Sequence, residues 1–334
     1  MKVLIIRFSS IGDIVLCTPV FRCFKNQIPY AEVHFLTKES FKIVTSSNPN
    51  IDKIFYYHKN INEIIEVLRK ENYDYIIDLH KNLRSLKIVS SLKKKTYTID
   101  KESTHKILLT KLKINLMRGV HITQRCLETV APLGVKDDGL GLDYFIPEAD
   151  RIKESDIPTS HTAGYIGLVI GASYYTKKLP VPQLQELCKK INYPIILLGG
   201  KEDRRAGLDV ASVDTTKIYN ACGKFNLNES ADIVQRAKLI ISHDTGLQYI
   251  ACAFQKPILA IWGATSPKLD VEPYYGSIFM KQQTKPIYEN IFLDLWCQPC
   301  SKYGSDRCPL GHFNCMKHQD IDGIVKKVND RLGL

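Results

Sequence analysis

The sequence predicts an α/β protein with two doubly wound domains, and three observations predict this fold class. Short apolar runs alternate with segments of helical periodicity, which is typical of a parallel sheet with helices on both faces. The same alternation begins again after residues 146–161, a proline-containing, charged stretch that we interpret as a linker. The length of 334 residues suffices for about two domains of roughly 150 residues each.

The predicted elements divide evenly between the two halves. In the first half, the predicted strands are residues 2–7, 32–36, 53–57 and 73–79, and the predicted helices are 13–26, 60–70, 83–92 and 104–116. In the second half, the predicted strands are 164–170, 194–198, 217–219, 239–242 and 257–262, and the predicted helices are 184–190, 227–235 and 247–254. We therefore place one domain at residues 1–150 and the next at 151–318.

The chain is basic, and its charge is concentrated in one stretch. It has 46 Lys and Arg against 35 Asp and Glu, a net charge of +11. Residues 81–115 hold ten of the cations and two of the acids, so this stretch alone carries +8. An excess of this size favours an anionic partner such as a nucleotide, a nucleic acid or a phosphorylated lipid. A solvated helical face that keeps the protein soluble remains the alternative.

Targeting signals and membrane spans are not apparent in the sequence. The apolar run at residues 3–6 is far shorter than the core of a signal peptide, and no stretch approaches about 18 apolar residues. We therefore expect a cytoplasmic protein. Its ten cysteines are then expected to be mostly reduced thiols.

The first predicted strand ends in a turn that carries a carboxylate. Gly12 permits a tight turn, and Asp13 stands where the first helix begins. Asp is favoured at a helix N-terminus, so one interpretation is a cap. The other is a base at the carboxyl edge of the sheet, where ligands bind in open α/β sheets.

Three loops at the carboxyl ends of second-half strands contain groups that can bind phosphate. Residues 171–180 offer small residues, hydroxyls and two lysines, although a plain surface loop has the same composition. Residues 242–247 run from a strand through Asp244, Thr245 and Gly246 into a helix, whose first amides would face an anion. Residues 262–267 end the next strand with a similar turn. The sequence has no Walker-type loop and no Gly-x-Gly-x-x-Gly after the first strand, so neither nucleotide motif applies there.

Four cysteines cluster near the C-terminus, at positions 297, 300, 308 and 315. Four thiols can bind zinc, but the second pair lacks the short gap of a zinc ribbon. A bound metal, reduced thiols packed in a loop and disulfides all stay open.

The motifs stand in the order of a known family. They are the turn at residues 10–13, the stretch 75–85, and the second-half segments 171–173, 177–180, 198–200, 221–224, 244–247 and 263–267. Over nearly the whole chain they resemble glycosyltransferase family 9, the ADP-heptose:lipopolysaccharide heptosyltransferases. The cysteine segments 297–300 and 308–312 are similar to the second heptosyltransferase of that family in particular.

The resemblance implies a GT-B fold, in which two Rossmann-like, doubly wound domains face each other across a cleft. It implies that residues 151–318 bind the nucleotide-sugar and that residues 1–150 bind the acceptor. It also implies that the last segment, 319–334, is a helix packed back on the N-terminal domain.

The resemblance further implies metal-independent, inverting transfer of heptose from ADP-heptose to a lipopolysaccharide inner-core acceptor. Asp13 would be the general base, and Lys177 would neutralise the departing diphosphate. The ADP-sugar is a substrate, so no cofactor and no metal are expected. The implied donor site comprises Ser173, Thr176, Lys177, Gly223, Lys224, Asp244, Thr245, Gly246, Leu247 and Thr265, and the implied acceptor site comprises Ser10, Gly12, Asn82 and Arg84.

Two positions depart from the family pattern. Tyr249 stands where the family commonly has His, and Leu179 stands where it commonly has Trp. Both bear on the identity of the donor sugar. The alternatives are therefore a GT-B transferase that uses a different nucleotide-sugar, and a GT-B protein that binds a nucleotide or glycolipid without catalysis.

The charge distribution and the resemblance together indicate the partners. The basic stretch falls in the half that would bind the acceptor, which favours a phosphorylated lipopolysaccharide core acceptor and peripheral contact with the cytoplasmic face of the inner membrane. Nucleic acid is not expected, because the stretch has no recognisable nucleic-acid-reading motif.

Overall fold

The computed structural model describes residues 1–58 and 60–334, and within them the chain forms eleven strands and fourteen α-helices. The strands are β1 (Lys2–Ile6), β2 (Glu32–Lys38), β3 (Lys53–Tyr57), β4 (Tyr75–Asp78), β5 (Lys95–Thr98), β6 (Ile166–Val169), β7 (Ile195–Leu198), β8 (Ile218–Asn220), β9 (Leu239–His243), β10 (Ile258–Ile261) and β11 (Tyr288–Ile291). The helices are α1 (Ile11–Val15), α2 (Thr18–Gln27), α3 (Lys42–Thr45), α4 (Ile61–Arg69), α5 (Leu83–Leu92), α6 (Ser103–Ile107), α7 (Ile122–Glu128), α8 (Val181–Lys190), α9 (Arg204–Ala211), α10 (Leu227–Arg236), α11 (Gly246–Ala253), α12 (Ser277–Lys281), α13 (Asn314–Lys317) and α14 (Ile321–Leu332).

The first sheet is parallel, with the strand order β3-β2-β1-β4-β5. The central strand β1 pairs with β2 and β4, so Ile6 stands opposite both Leu36 and Asp78. Its apolar residues from Val3 to Ile6 are fully buried, because helices cover both faces of the sheet. The carboxyl ends of β1 and β4 therefore lie at one edge, which brings the segments after Ile6 and Asp78 together.

The second sheet is also parallel, in the order β11-β10-β9-β6-β7-β8. Starting from β8, this is the 3-2-1-4-5-6 order of Rossmann folds, with β6 as the first strand of the unit. The strand order reverses direction between β6 and β9, which is the point where such sheets bind ligands. The predicted pair of doubly wound parallel sheets is confirmed.

The structure corrects several predicted elements. The single helix predicted at 13–26 is two helices, because Pro19 lacks a backbone N–H and starts α2 at its first turn. The strands β5 and β11 were not predicted, since their sequences Lys-Thr-Tyr-Thr and Tyr-Glu-Asn-Ile are not apolar runs. The helix predicted at 104–116 ends early: α6 passes into a π-helical turn at Leu108–Leu112.

The chain divides into two compact units that differ from the predicted 1–150 and 151–318. The first unit comprises Met1–Ser103, Val120–Phe145 and Tyr274–Lys281, and the second comprises Thr104–Gly119, Ile146–Pro273 and Gln282–Leu334. Residues 104–119 join the second unit because the Lys113 ammonium donates to the carbonyls of Cys297 and Pro299, at 2.8 and 2.7 Å. The segment 274–281 joins the first unit through the Ile278 N–H, which donates to the Gly139 carbonyl at 3.0 Å.

The last helix, α14, packs in the second unit, so the predicted return of residues 319–334 to the N-terminal domain is wrong. Its apolar face, Ile321, Ile324 and Val328, is buried in the core of the second unit beside Leu184 and Leu187 of α8. On its flank, Lys327 and Arg331 both pair with Glu289 of β11. The helical periodicity identifies an apolar face, but it does not say which neighbour covers that face.

No helix in the described part of the chain has both the length and the apolar character that crossing a bilayer requires.

Candidate active site

In the first unit, the candidate base Asp13 is held in a network at the start of α1. Oδ2 accepts hydrogen bonds from the Ser10 N–H and the Ser10 hydroxyl, at 2.9 and 2.8 Å. Oδ1 lies 2.5 Å from Nη2 of Arg7, whose side chain is buried. The Asp13 side chain is still 37% exposed. The carboxylate thus completes the capping of α1 and also offers part of its surface to a substrate.

The surroundings of Asp13 favour its ionised form. Burial alone would raise the pKa of this carboxyl. The Arg7 guanidinium, the two Ser10 hydrogen bonds and the nearby Lys101 outweigh that penalty, so the pKa lies below the ordinary 3.8. Asp13 is therefore ionised at neutral pH, as a general base must be.

Arg7, His80 and Lys101 join this site, and none of them was among the residues assigned to it from the sequence. The Lys101 ammonium donates to the carbonyl of His80. Burial, together with Arg7, lowers the pKa of Lys101 to about 8. Burial and the same two cations lower the pKa of His80 to about 3, so its ring is neutral; it packs 4.8 Å from Phe8. Lys101 follows β5, and without that strand in the prediction its place at the sheet edge could not be inferred.

The four residues assigned to the acceptor site occupy two neighbouring strand ends. Ser10 binds Asp13, and Gly12 is buried within α1. Asn82 caps α5, where Oδ1 accepts from the N–H groups of Arg84 and Ser85 at 3.0 and 2.9 Å. The Arg84 side chain is exposed. Arg84 is thus available to an anionic acceptor, whereas the side-chain oxygen of Asn82 is already used.

In the second unit, three side chains meet around Asp244, which follows β9. The Lys177 ammonium lies 2.7 Å from Asp244 Oδ2, and both side chains are 12% exposed. The Thr265 hydroxyl donates to the same oxygen at 2.9 Å. The Tyr249 hydroxyl lies 3.4 Å from Oδ1 and 2.7 Å from the Val271 carbonyl. The structure therefore brings together Lys177, Asp244 and Thr265, which were assigned to the donor site from separate loops.

The N-terminus of α11 adjoins this Asp244 cluster. Thr245 is the extended N-cap residue, and its side chain makes no capping hydrogen bond. Gly246 and Leu247 open the helix, so their amides precede the first intrahelical hydrogen bonds. Backbone donors at a helix N-terminus suit an anionic oxygen, which is the chemistry predicted for these residues.

Other residues assigned to the donor site have different surroundings. The Thr176 side chain is buried, and its hydroxyl both donates to the Ser305 carbonyl at 2.9 Å and accepts from the Ser305 N–H at 2.8 Å. Ser173 is exposed. Gly223 has a φ of +68°, and a Cβ there would stand 2.8 Å from the Lys201 Cα. Lys224 is exposed, with its ammonium 4.1 Å above the Tyr219 ring. None of the hydrogen bonds or ion pairs found among residues 1–58 and 60–334 links Ser173 or Lys224 to Asp244.

His243 is a residue that the sequence interpretation missed. Its Nε2 accepts the Leu179 N–H at 2.9 Å, which ties the end of β9 to the segment that carries Lys177. Burial, with Lys178 and Lys177 nearby, lowers the pKa of His243 to about 3, so the ring stays neutral and can accept this bond. The Leu179 side chain itself is part of the apolar core. Of the two departures from the family pattern, only Tyr249 therefore has its side chain at Asp244.

The C-terminal cysteines are free thiols. Cys297 and Cys315 are buried, and Cys297 Sγ lies 4.0 Å from Nε2 of His312. Among the described residues, these cysteines do not form a group of three or more with all ligand atoms within 4.8 Å. This placement agrees with reduced thiols that pack a loop, and the expectation that no metal binds here stays a prediction.

Comparison with known proteins identifies relatives of this chain. Lipopolysaccharide heptosyltransferase 1 of Campylobacter coli is 25% identical over 292 residues, covering 79% of this chain and 84% of the relative. Lipooligosaccharide heptosyltransferase 2 of Haemophilus influenzae is 24% identical, covering 80% of this chain and 85% of the relative. The structure of ADP-heptose lipopolysaccharide heptosyltransferase II from E. coli matches with a TM-score of 0.73 at 17% identity, over 99% of this chain and 98% of that one. This likeness shows that the fold is GT-B.

The family itself is shown by the match of residues 61–307 to the model of glycosyltransferase family 9 (heptosyltransferase). Because this match covers most of the sequence, the chain belongs to glycosyltransferase family 9, the heptosyltransferases.

Proposed function

We propose that this protein transfers heptose from ADP-heptose to a phosphorylated inner-core acceptor of lipopolysaccharide, with inversion at the anomeric carbon and without a metal. The observation that carries the proposal is the Lys177–Asp244 contact of 2.7 Å beside the N-terminus of α11. Membership of the family supports the reaction type. The names of the similar proteins, which specify ADP-heptose and lipopolysaccharide, support the choice of substrates.

In the proposed mechanism, the acceptor hydroxyl attacks the anomeric carbon of the donor. The bond from that carbon to the β-phosphate oxygen breaks, and ADP leaves with the electron pair from the opposite face. Asp13 takes the hydroxyl proton. A carboxylate with a depressed pKa is a weak base, so the proton moves late, when the sugar already resembles an oxocarbenium ion.

The second unit would stabilise the leaving diphosphate. Lys177 has three N–H donors, and the contact with Asp244 uses one of them. The remaining donors, with the amides of Gly246 and Leu247, can neutralise the charge that develops on ADP, which is the work a divalent cation does in other transferases. Asp244 would hold Lys177 in place and accept a hydroxyl of the donor.

The proposed acceptor is part of a membrane lipid, so we also propose peripheral association with the cytoplasmic face of the inner membrane. The six cations in residues 81–95, all of which belong to the first unit, support this proposal.

The test is transfer by the purified protein from ADP-heptose to a heptose-deficient core acceptor, followed as ADP release and as product mass. Heptose should be added, the new linkage should have the anomeric configuration opposite to that of the donor, and excess EDTA should leave the rate unchanged. Transfer from a different nucleotide-sugar, and not from ADP-heptose, would show that the donor is that other nucleotide-sugar. ADP binding without turnover on any acceptor would make the protein a non-catalytic member of the family.

A further inference from the structure

The outer face of α5 exposes two leucines. Leu83 is 85% exposed and Leu86 is 57% exposed, and three residues of spacing place them on the same face of the helix. The opposite face of α5 already packs on the first unit, with Ser85 and Ile88 fully buried. The two leucines therefore add nothing to the core of the unit, and they form an apolar spot that water solvates poorly.

Cations flank these leucines along the sequence. Residues 79–99 contain Lys81, Arg84, Lys87, Lys93, Lys94 and Lys95, and no Asp or Glu. Arg84 and Lys87 are exposed, and neither forms an ion pair with any residue that the structure describes. An exposed helix face that combines leucines with uncompensated cations is typical of helices that lie in the interface of an anionic bilayer. A nucleic acid would match the charge but would leave the leucines in water.

The N-terminus of α5 lies at the sheet edge that carries the candidate base. The helix begins directly after the loop that follows β4, and His80 of that loop packs 4.8 Å from Phe8, next to Arg7 of the Asp13 network. A bilayer in contact with Leu83 would therefore approach the strand edge that carries Asp13.

We propose that the outer face of α5, formed by Leu83, Arg84, Leu86 and Lys87, docks the protein on an anionic lipid bilayer. The leucines enter the interface, and the two cations contact lipid phosphates. The inference rests on the proposed function, because that function places the acceptor in a membrane.

The experiment is co-sedimentation with vesicles of phosphatidylglycerol and phosphatidylethanolamine, and with vesicles of phosphatidylcholine alone. The wild type should bind the anionic vesicles and dissociate as salt is raised, because screening weakens the lysine and arginine contacts. The double variant Leu83→Ser/Leu86→Ser should bind at least about tenfold more weakly. Lys87→Glu should also weaken binding.

Leu208→Ser is the matched control, since Leu208 of α9 is 52% exposed in the second unit. It should bind the vesicles like the wild type. Thermal melting of each variant shows that the fold is intact. Equal binding by the double variant and the wild type, or equal binding to both vesicle types, overturns the proposal.

Transfer to a water-soluble, delipidated core oligosaccharide separates this inference from the proposed function. The double leucine variant should transfer at the wild-type rate, because the bilayer takes no part in that assay. If the wild type binds anionic vesicles but transfers no heptose, the result supports the docking surface and refutes the proposed function.

Discussion

The Lys177 ammonium lies 2.7 Å from Oδ2 of Asp244, with both side chains 12% exposed. The two residues come from loops that follow different strands, β6 and β9, which are neighbours in the second sheet. An ion pair at this edge orients the ammonium in a partly dry site, where its charge acts more strongly on a diphosphate than it would in water.

Replacing Lys177 should therefore impair the reaction more than replacing its neighbour. Lys177→Met should lower kcat/KM by about 10²- to 10³-fold, because the leaving diphosphate loses its cation. Lys178 instead pairs at 2.7 Å with Asp203, whose side chain is 5% exposed. Lys178→Met should lower the melting temperature, because it leaves a buried carboxylate without its cation, and should leave the KM for the donor near its wild-type value. Steady-state kinetics and melting curves of the two variants check this pair, and equal kinetic losses would contradict the assignment of Lys177.

Tyr249 should tune the binding of the donor through Asp244. Tyr249→Phe removes the hydroxyl that lies 2.7 Å from the Val271 carbonyl and 3.4 Å from Asp244. We expect the KM for the donor to rise about fivefold, the effect of one lost hydrogen bond, with kcat nearly unchanged. Tyr165→Phe is the control, since it also deletes one buried hydroxyl, bonded at 2.7 Å to the Ile233 carbonyl. A rise in KM shared by both variants would mean that general loosening of the unit, and not Asp244, is the cause.

The dependence of kcat/KM on pH should reflect how the cations around Asp13 lower the pKa of its carboxyl. The base form is present above its pKa, and that pKa is below the ordinary 3.8. Hence kcat/KM should not fall on the acid side until the pH drops below about 4. Lys101→Met removes a charge that favours the carboxylate, so the acid limb should move to higher pH. Lys70→Met, which removes an exposed lysine of the same unit, should leave the profile in place. An unmoved acid limb in the Lys101 variant would show that another group controls it.

The buried ion pair between Arg125 and Glu102 should matter for stability. Nη1 of Arg125 lies 2.9 Å from Oε2 of Glu102, and the two side chains are 0% and 1% exposed, respectively. Arg125→Met should lower the free energy of unfolding by about 3–5 kcal/mol, because a buried carboxylate loses its cation. Adding Glu102→Gln should recover much of that loss, since the uncompensated charge is then gone. Chemical denaturation of the single and double variants measures both effects, and additive losses would refute this coupling.

The sequence predicts the sheets well where the strands are continuous apolar runs. Strands such as β7, with all four residues buried, can be recognised from their apolar sequence. Because the strands are parallel, their carboxyl ends lie at one common edge of the sheet. The loops that carry Lys177, Asp244 and Thr265 could be placed at one edge for this reason, and the resemblance to glycosyltransferase family 9 then assigned the three residues to one site.

Other features of the fold and of the site depend on tertiary packing, which cannot be inferred from the sequence pattern. The strand β5 is half-exposed at the edge of its sheet, so nothing in its composition reveals it, and the position of Lys101 could not be inferred. Arg7 is three residues from a predicted turn, but only the folded sheet edge shows that it pairs with Asp13. Likewise, the apolar face of α14 does not specify that α8 covers it.

Asp13 should act as the base of the heptosyl transfer. The most direct measurement is turnover of ADP-heptose and a heptose-deficient core acceptor by the wild type and by Asp13→Asn, with ADP affinity measured by calorimetry. Asn keeps the shape of the side chain but cannot accept the proton. We predict that turnover falls at least about 10³-fold while ADP affinity changes less than about twofold. Undiminished turnover in Asp13→Asn would mean that Asp13 is not the base.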